Sequence, residues 1–272
     1  MIVEWNAHMF SSDTTRYPWH PNAVYIPDRA RWDPDPLATY FQRMDAVGID
    51  RAVLVQPEPY GDDHRLVLDC ISRAPDRLKA TSLFYPKDPQ AMKKLEELVA
   101  KEPRIVATRF HAHRGKESYL DSFADENVRA LWRHAGELGL VIELHIGPNY
   151  ARQVADVIAA YPAFPVLIDH MAEPQLGTTE EYEDVLALAR FPNVTMKLSG
   201  LAHFSRAPEP HLDIKPIVQQ VAAAYGPDRL AWSSGSPSIV EALLDHWSAT
   251  ERAKVKGENL ARLAGWLPMV SP

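Results

Sequence analysis

Several short stretches of this sequence carry polar residues at alternate positions. Asn6 and His8 do so near the start, Arg109 and His111 further on, then Glu143 and His145, and finally Lys197 and Ser199; His170 closes the run PVLIDH. Glu4 and His113 extend the first two series by one step. A histidine near its ordinary pKa of ~6.5 gains and loses protons at neutral pH, so it serves as a general acid or base. Arginine and lysine hold a carboxylate or stabilise a developing oxyanion. The chemistry implied is proton transfer on a small polar substrate, helped by fixed positive charge.

Side chains alternate across a strand, so residues two apart share a face. A lone inward histidine is ordinarily a satisfied core residue. Burying many ionisable groups together costs several kcal/mol each unless they serve one another or a ligand, and a shared solvated pocket meets that condition. The remaining histidines, His20, His64, His134, His203, His211 and His246, fall in loop or helix patterns and are expected at the surface or at helix ends.

The elements that must position these residues alternate regularly. Strands are expected at IVEW, AVLVQP, LKATSLFY, IVATRFH, VIELHI, PVLIDH, VTMKLSG and RLAWSS. Amphipathic helices are expected between them, among them LATYFQRMDAVG, AMKKLEELVAKE, VRALWRHAGELG and EYEDVLALARF, and the tail GENLARLAGWLP reads as a last docking helix. That alternation predicts parallel β/α units, and the strand count predicts a TIM-type (β/α)₈ barrel occupying residues 1–272 as one domain. In such a barrel the chemistry sits where strands end and βα loops begin, which is where the polar series fall. The first of these loops, Ser11 to Pro34, holds Tyr17, Trp19, Tyr25 and Trp32 and reads either as a lid or as a packed arm over the barrel mouth.

The chain has 272 residues, enough for one large core, with 29 basic against 36 acidic residues and a net charge of −7. No basic block is present, which argues against nucleic acid as a partner and for a small molecule. No apolar run approaches the ~20 residues of a membrane span, and the N-terminus lacks a signal-peptide layout, so a cytoplasmic protein is expected, with a homo-oligomer compatible with the sequence. The single cysteine, Cys70, lies at helical apolar spacing and reads as a buried structural thiol.

VLVQPEPYGDDHRLVLD, APDRLKA, VIELHIGP, VLIDHMAEP, MKLSGLA and GENLARLAG, in this order and spacing, resemble the amidohydrolase superfamily. The similarity is to its branch of pyrone-dicarboxylate, muconolactone-type and sugar lactonases, related to the aminocarboxymuconate-semialdehyde decarboxylases. The resemblance implies that His8 and His145 match two metal ligands, that His170 matches the histidine polarising the substrate, and that Arg109 and Lys197 lie near the substrate. It also exposes two departures. Asn6 stands where a first ligand histidine is found, and Gly235 stands where the strand-8 aspartate is found, the residue that holds metal and takes a proton from water. Zinc commonly takes three protein ligands, so His8 and His145 alone would hold a divalent ion weakly. No cofactor is therefore expected, the alternative being a weakly held ion such as zinc on those two residues. Metal-free pyrone-dicarboxylate lactonases are a precedent for chemistry without it.

The expected function is hydrolysis of a small anionic lactone or related cyclic ester. His8, His145 and His170 would be the catalytic groups, while Asn6, Arg109, His111, Lys197 and Ser199 would contact substrate. With no strand-8 aspartate, the base would be His145, Glu143 or His170. Two other readings stay open: a lyase, decarboxylase or isomerase acting on a small carboxylate, and a catalytically silent barrel that binds a ligand.

Overall fold

The computed structural model describes residues 1–112 and 119–268; His113, one of the residues singled out above, lies outside them. Eight parallel strands form one sheet in chain order: β1 (Val3–Ala7), β2 (Arg51–Val55), β3 (Leu78–Leu83), β4 (Ile105–Ala112), β5 (Val141–Ile146), β6 (Val166–Ile168), β7 (Val194–Leu198) and β8 (Leu230–Trp232). Helices α1 (Pro36–Val47), α2 (Arg65–Ser72), α3 (Ala91–Lys101), α4 (Glu126–Glu137), α5 (Ala151–Ala160), α6 (Thr179–Ala187) and α7 (Lys215–Tyr225) follow the first seven strands in turn. Three short helices, α8 (Ile239–Leu243), α9 (Ala249–Ala253) and α10 (Asn259–Leu263), follow the last. This is the expected (β/α)₈ barrel. The seam between β8 and β1 is bridged by side chains: Ser233 Oγ accepts the Trp5 N–H at 2.8 Å, and Lys197 Nζ donates to the Trp5 carbonyl at 2.6 Å.

Local chemistry explains the helices. In α4, Val128, Leu131, Trp132 and Ala135 recur at helical spacing and are the buried face. Asp35 caps α1 by accepting the Ala38 N–H at 3.1 Å, with Pro36 in the first turn, where a missing N–H costs nothing. Cys70 is buried on α2, and burial pushes its thiol up to about 12, as suits a packing residue. Among the described residues no helix is long and apolar enough to cross a membrane.

Inside the barrel the lowest layer is apolar. Val3, Val53, Ala107, Val141, Leu167 and Ala231 pack there against Leu260, Ala261 and Ala264 of the last segment. One irregularity sets the face of β1. Glu4 pairs with Ala52 but Ala7 pairs with Leu54, so three residues of β1 span two of β2, a β-bulge. Strict alternation would place Glu4 with Asn6 and His8. Instead Glu4 points to α1, where Tyr40 donates to it at 2.5 Å and Arg43 binds it at 2.6 and 2.9 Å, while Trp5 fills the interior.

The long first loop is a packed arm. Phe10 O accepts the Asp33 N–H and Asp33 O accepts the Ser12 N–H, both at 2.9 Å, which ties its two ends together. Trp19 lies between Tyr60 and Trp32, with ring centroids at 4.5 and 5.4 Å, and Tyr17 is buried.

Candidate active site

Above the apolar layer lies a charged one. Lys197, Glu143 and Asp169 are all 0% exposed. Lys197 Nζ binds Glu143 Oε1 at 2.5 Å and Asp169 Oδ1 at 2.7 Å, and Arg109 reaches Asp169 Oδ2 with Nε at 2.9 Å and a terminal nitrogen at 2.5 Å. Glu143 Oε2 accepts from Thr81 at 2.7 Å and from the Trp5 indole at 3.0 Å. Burial would raise Asp169, but Lys197 and Arg109 override it and hold its carboxyl well below the usual range. Glu143 is the weaker acid of the two: burial raises it against the pull of Lys197. With both carboxylates ionised, the two cations and two anions cancel.

This layer revises two expectations. Lys197 gives its donors to Glu143, Asp169 and the Trp5 carbonyl rather than to the cavity, and Glu143 is bound on both oxygens rather than open to it. Neither residue lines the cavity above.

That cavity, of about 280 Å³, opens at the C-terminal end of the strands, and Asn6, His8, Arg109, His111, His145 and His170 all line it. The arm adds Phe10, Tyr25 and Arg31, and two βα loops add Glu58 and His203. Imidazoles run in series around it: His111 to His145 at 4.5 Å between centroids, His145 to His170 at 5.1 Å, His170 to His203 at 5.4 Å.

His8 Nδ1 lies 3.1 Å from the Val55 carbonyl, an acceptor, so Nδ1 carries the hydrogen and Nε2 keeps its lone pair. Burial first, then Arg109, lowers His8 to about 3, so the ring is neutral. His170 pairs through Nδ1 with Ser199 Oγ at 2.8 Å, which is the place the structure gives Ser199, and burial holds His170 well below its ordinary value.

Beyond β6 the chain makes a left-handed turn. His170, Met171, Ala172 and Glu173 all have φ between +51° and +57°. None is glycine, and each such residue costs roughly 1–2 kcal/mol, so the turn persists only because its surroundings fix it. Gly200 is one of those surroundings: a Cβ there would stand 2.7 Å from His170 Nδ1. The turn delivers Glu173, buried, whose Oε1 lies 3.1 Å from His145 Nε2 and 3.3 Å from His203 Nδ1, and whose Oε2 accepts from Gln175 at 2.6 Å. Burial would raise Glu173, but His203, His170 and Gln175 leave it lowered, an ionised carboxylate at neutral pH. The Glu173 hydrogen bond in turn raises His203.

Glu173 and His203 were not expected at the site. Their positions, in the loops after β6 and β7, are the available signal. His203 was expected at the surface; it is half exposed there and also lines the cavity. His64, expected at the surface or at a helix end, does precede α2, yet it is buried and its Nε2 accepts the Leu83 N–H at 3.0 Å.

The metal set implied by the resemblance is not assembled. Asn6 Oδ1 is buried without a hydrogen-bond partner among the described residues and offers only an amide oxygen. Gly235 is exposed and outside the cavity lining, with its carbonyl accepting from Arg43 at 3.0 Å. The described residues do hold a different cluster, His145, His170 and Glu173, with ligand atoms within 4.8 Å of one another. Restoring an aspartate at Gly235 is therefore expected to fail. The glycine has φ +80°, and a Cβ would stand 2.6 Å from Ile239 Cδ1, so Gly235→Asp should lose about 1–2 kcal/mol of stability. Elemental analysis after dialysis should find no more metal in Asn6→His/Gly235→Asp than in Asn6→His; a gain would place Gly235 at the site after all.

A sequence model described as Amidohydrolase matches residues 6–265. The chain is 27% identical to the 4-sulfomuconolactone hydrolase of Hydrogenophaga intermedia over 96% of its own length and 88% of that protein. It is 28% identical to the L-fucono-1,5-lactonase of Burkholderia ambifaria over 70% and 66% of the two chains. Its fold is similar to that of a probable 2-pyrone-4,6-dicarboxylic acid hydrolase from Acinetobacter baumannii solved with citric acid bound, with a TM-score of 0.79 at 21% identity over 97% and 99% of the two chains. With nearly its whole length matched, and with histidines and an arginine gathered at the mouth of a (β/α)₈ barrel, the chain belongs to the amidohydrolase family.

Proposed function

We propose that this protein hydrolyses a small lactone in the cavity at the barrel mouth. The observation that carries this reading is the buried Glu173 carboxylate paired with His145 beside Arg109 and His170, an acid–base pair next to groups able to receive negative charge. The names of the curated relatives, lactone hydrolases, support the choice of substrate.

The residues divide the work as follows. The His145–Glu173 pair takes a proton from water, and the resulting hydroxide oxygen bonds to the lactone carbonyl carbon. Negative charge moves to the carbonyl oxygen, where Arg109 and the neutral His170 ring supply positive charge and a hydrogen-bond donor. The C–O bond of the ring then breaks, and the proton held by the pair goes to the departing oxygen, leaving a hydroxy acid. His8, neutral with its Nε2 lone pair uncommitted to Val55, orients water by accepting a hydrogen bond. None of these steps requires a strand-8 aspartate.

The test is acid release measured by pH-stat over a panel of muconolactone, 2-pyrone-4,6-dicarboxylate, L-fucono-1,5-lactone and γ-butyrolactone. Turnover of at least one, lowered on the order of 10²-fold in His145→Ala, is the expected result. Failure on every member by a folded wild-type protein would refute the lactonase reading and leave a barrel that binds without hydrolysing.

A further inference from the structure

With Lys197 held by Glu143 and Asp169, and Arg109 given to the carbonyl oxygen, the charge that receives a separate anionic group of the substrate must come from elsewhere. Arg31 is the last residue of a single helical turn, Arg29–Arg31, on the packed arm, and it lines the cavity. Its guanidinium carbon stands 4.7 Å from the centroid of Phe10, itself part of the cavity wall. Among the described residues it has no ion-pair partner, whereas Arg16, Arg43, Arg65 and Arg73 each bind an aspartate or glutamate. Its field reaches the Tyr25 hydroxyl and the His203 ring, where it opposes protonation of the histidine.

An exposed arginine normally has a carboxylate or open water for company. One seated over an aromatic ring at a cavity wall is already partly ordered, and its planar fork can donate to two oxygens of one anionic group. We propose that Arg31 holds the carboxylate or sulfonate of the substrate at the cavity mouth, so that the arm, rather than the barrel interior, selects for an anion. Glu58, whose Oε1 accepts the Val24 N–H at 3.2 Å, lines the same cavity. The lactone carbonyl would then lie deeper, toward His145 and His170. Only this last placement rests on the lactonase reading; anion capture by Arg31 does not.

Calorimetric titration with citrate as the probe decides it. Arg31→Met should weaken citrate binding on the order of 10-fold to 100-fold, the scale of losing a charge-assisted bidentate pair. Arg31→Lys should fall between, since it keeps the charge and loses the fork. Arg29→Met is the control, because Arg29 lies on the same turn over Trp32, at 5.5 Å, and does not line the cavity; it should bind citrate as the wild type does. No citrate binding by the wild type, or equal losses in Arg29→Met and Arg31→Met, would overturn the proposal. Where a lactone is turned over, Arg31→Met should raise KM for an anionic lactone with kcat kept within about threefold and leave neutral γ-butyrolactone unaffected. Similar losses on both lactones would also count against it. If no lactone is turned over, the lactonase reading fails while the citrate comparison still settles the role of Arg31.

Discussion

Replacing Lys197 by methionine is expected to cost about 3–5 kcal/mol of stability, the scale for removing one partner from a buried charge cluster. The variant would leave Glu143 and Asp169, both fully buried, sharing the single cation Arg109. Methionine fills the volume, so the loss reports charge rather than a cavity. Adding Glu143→Gln to Lys197→Met should recover much of it, because Asp169 keeps its two bonds to Arg109 and the second uncompensated anion is gone. The deficit should also shrink on acidification. Glu143 already has a raised pKa in the folded protein, and losing Lys197 raises it further. A carboxyl whose folded pKa exceeds its unfolded value binds protons better when folded, so the folded variant gains ground as pH falls into that raised range. Urea unfolding at several pH values checks both statements. A loss below 1 kcal/mol would mean that Lys197 is not committed to this layer and return it to the list of substrate contacts.

Replacing Glu173 by glutamine should lower kcat on the order of 10²-fold, with KM changed by less than about threefold, as should His145→Ala. Glutamine keeps the shape and the bond to Gln175 but removes the negative charge that accepts from His145 and His203. His203→Gln should cost less, because His203 is half exposed and shares the same carboxylate oxygen. Steady-state kinetics on the substrate found by the lactone panel, with circular dichroism to confirm the fold, make the comparison. A near-wild-type kcat in Glu173→Gln would remove the carboxylate from the mechanism and leave His145 to act alone.

The fold was legible because each strand is a short apolar run and each helix repeats its buried face, as Val128, Leu131, Trp132 and Ala135 do in α4. The strand-end histidines were legible for the same reason: alternation points His111 and His145 inward once their strands are known. Alternation failed on β1, where the bulge turns Glu4 outward while Asn6 and His8 still reach the cavity, and no residue type in VEWNAHMF announces that extra step. The inward direction of Arg109 and Lys197 was readable, but their pairing was not, since Asp169 and Glu143 lie 60 and 54 residues away in the chain. Glu173, His203 and Arg31 sit in loops, where no period exists to read. Glu173 is three residues beyond His170, yet only the left-handed turn brings its carboxylate back to His145.

The charged layer in the barrel also bears on how a substrate arrives. Two cations and two anions packed within hydrogen-bond distance project little field beyond the cavity, so the interior offers no long-range attraction to an approaching anion. The chain as a whole, at −7, repels one. Encounter between this protein and an anionic ligand is then slowed at a distance and rewarded only at the last few ångströms. Added salt, which screens over about 8 Å at physiological strength, should make the association rate for citrate rise rather than fall, opposite to the usual sign for a site that steers its ligand. Stopped-flow binding across a salt series would show the slope, and a steep fall would mean that the cavity mouth carries more uncancelled positive charge than Arg31 alone supplies.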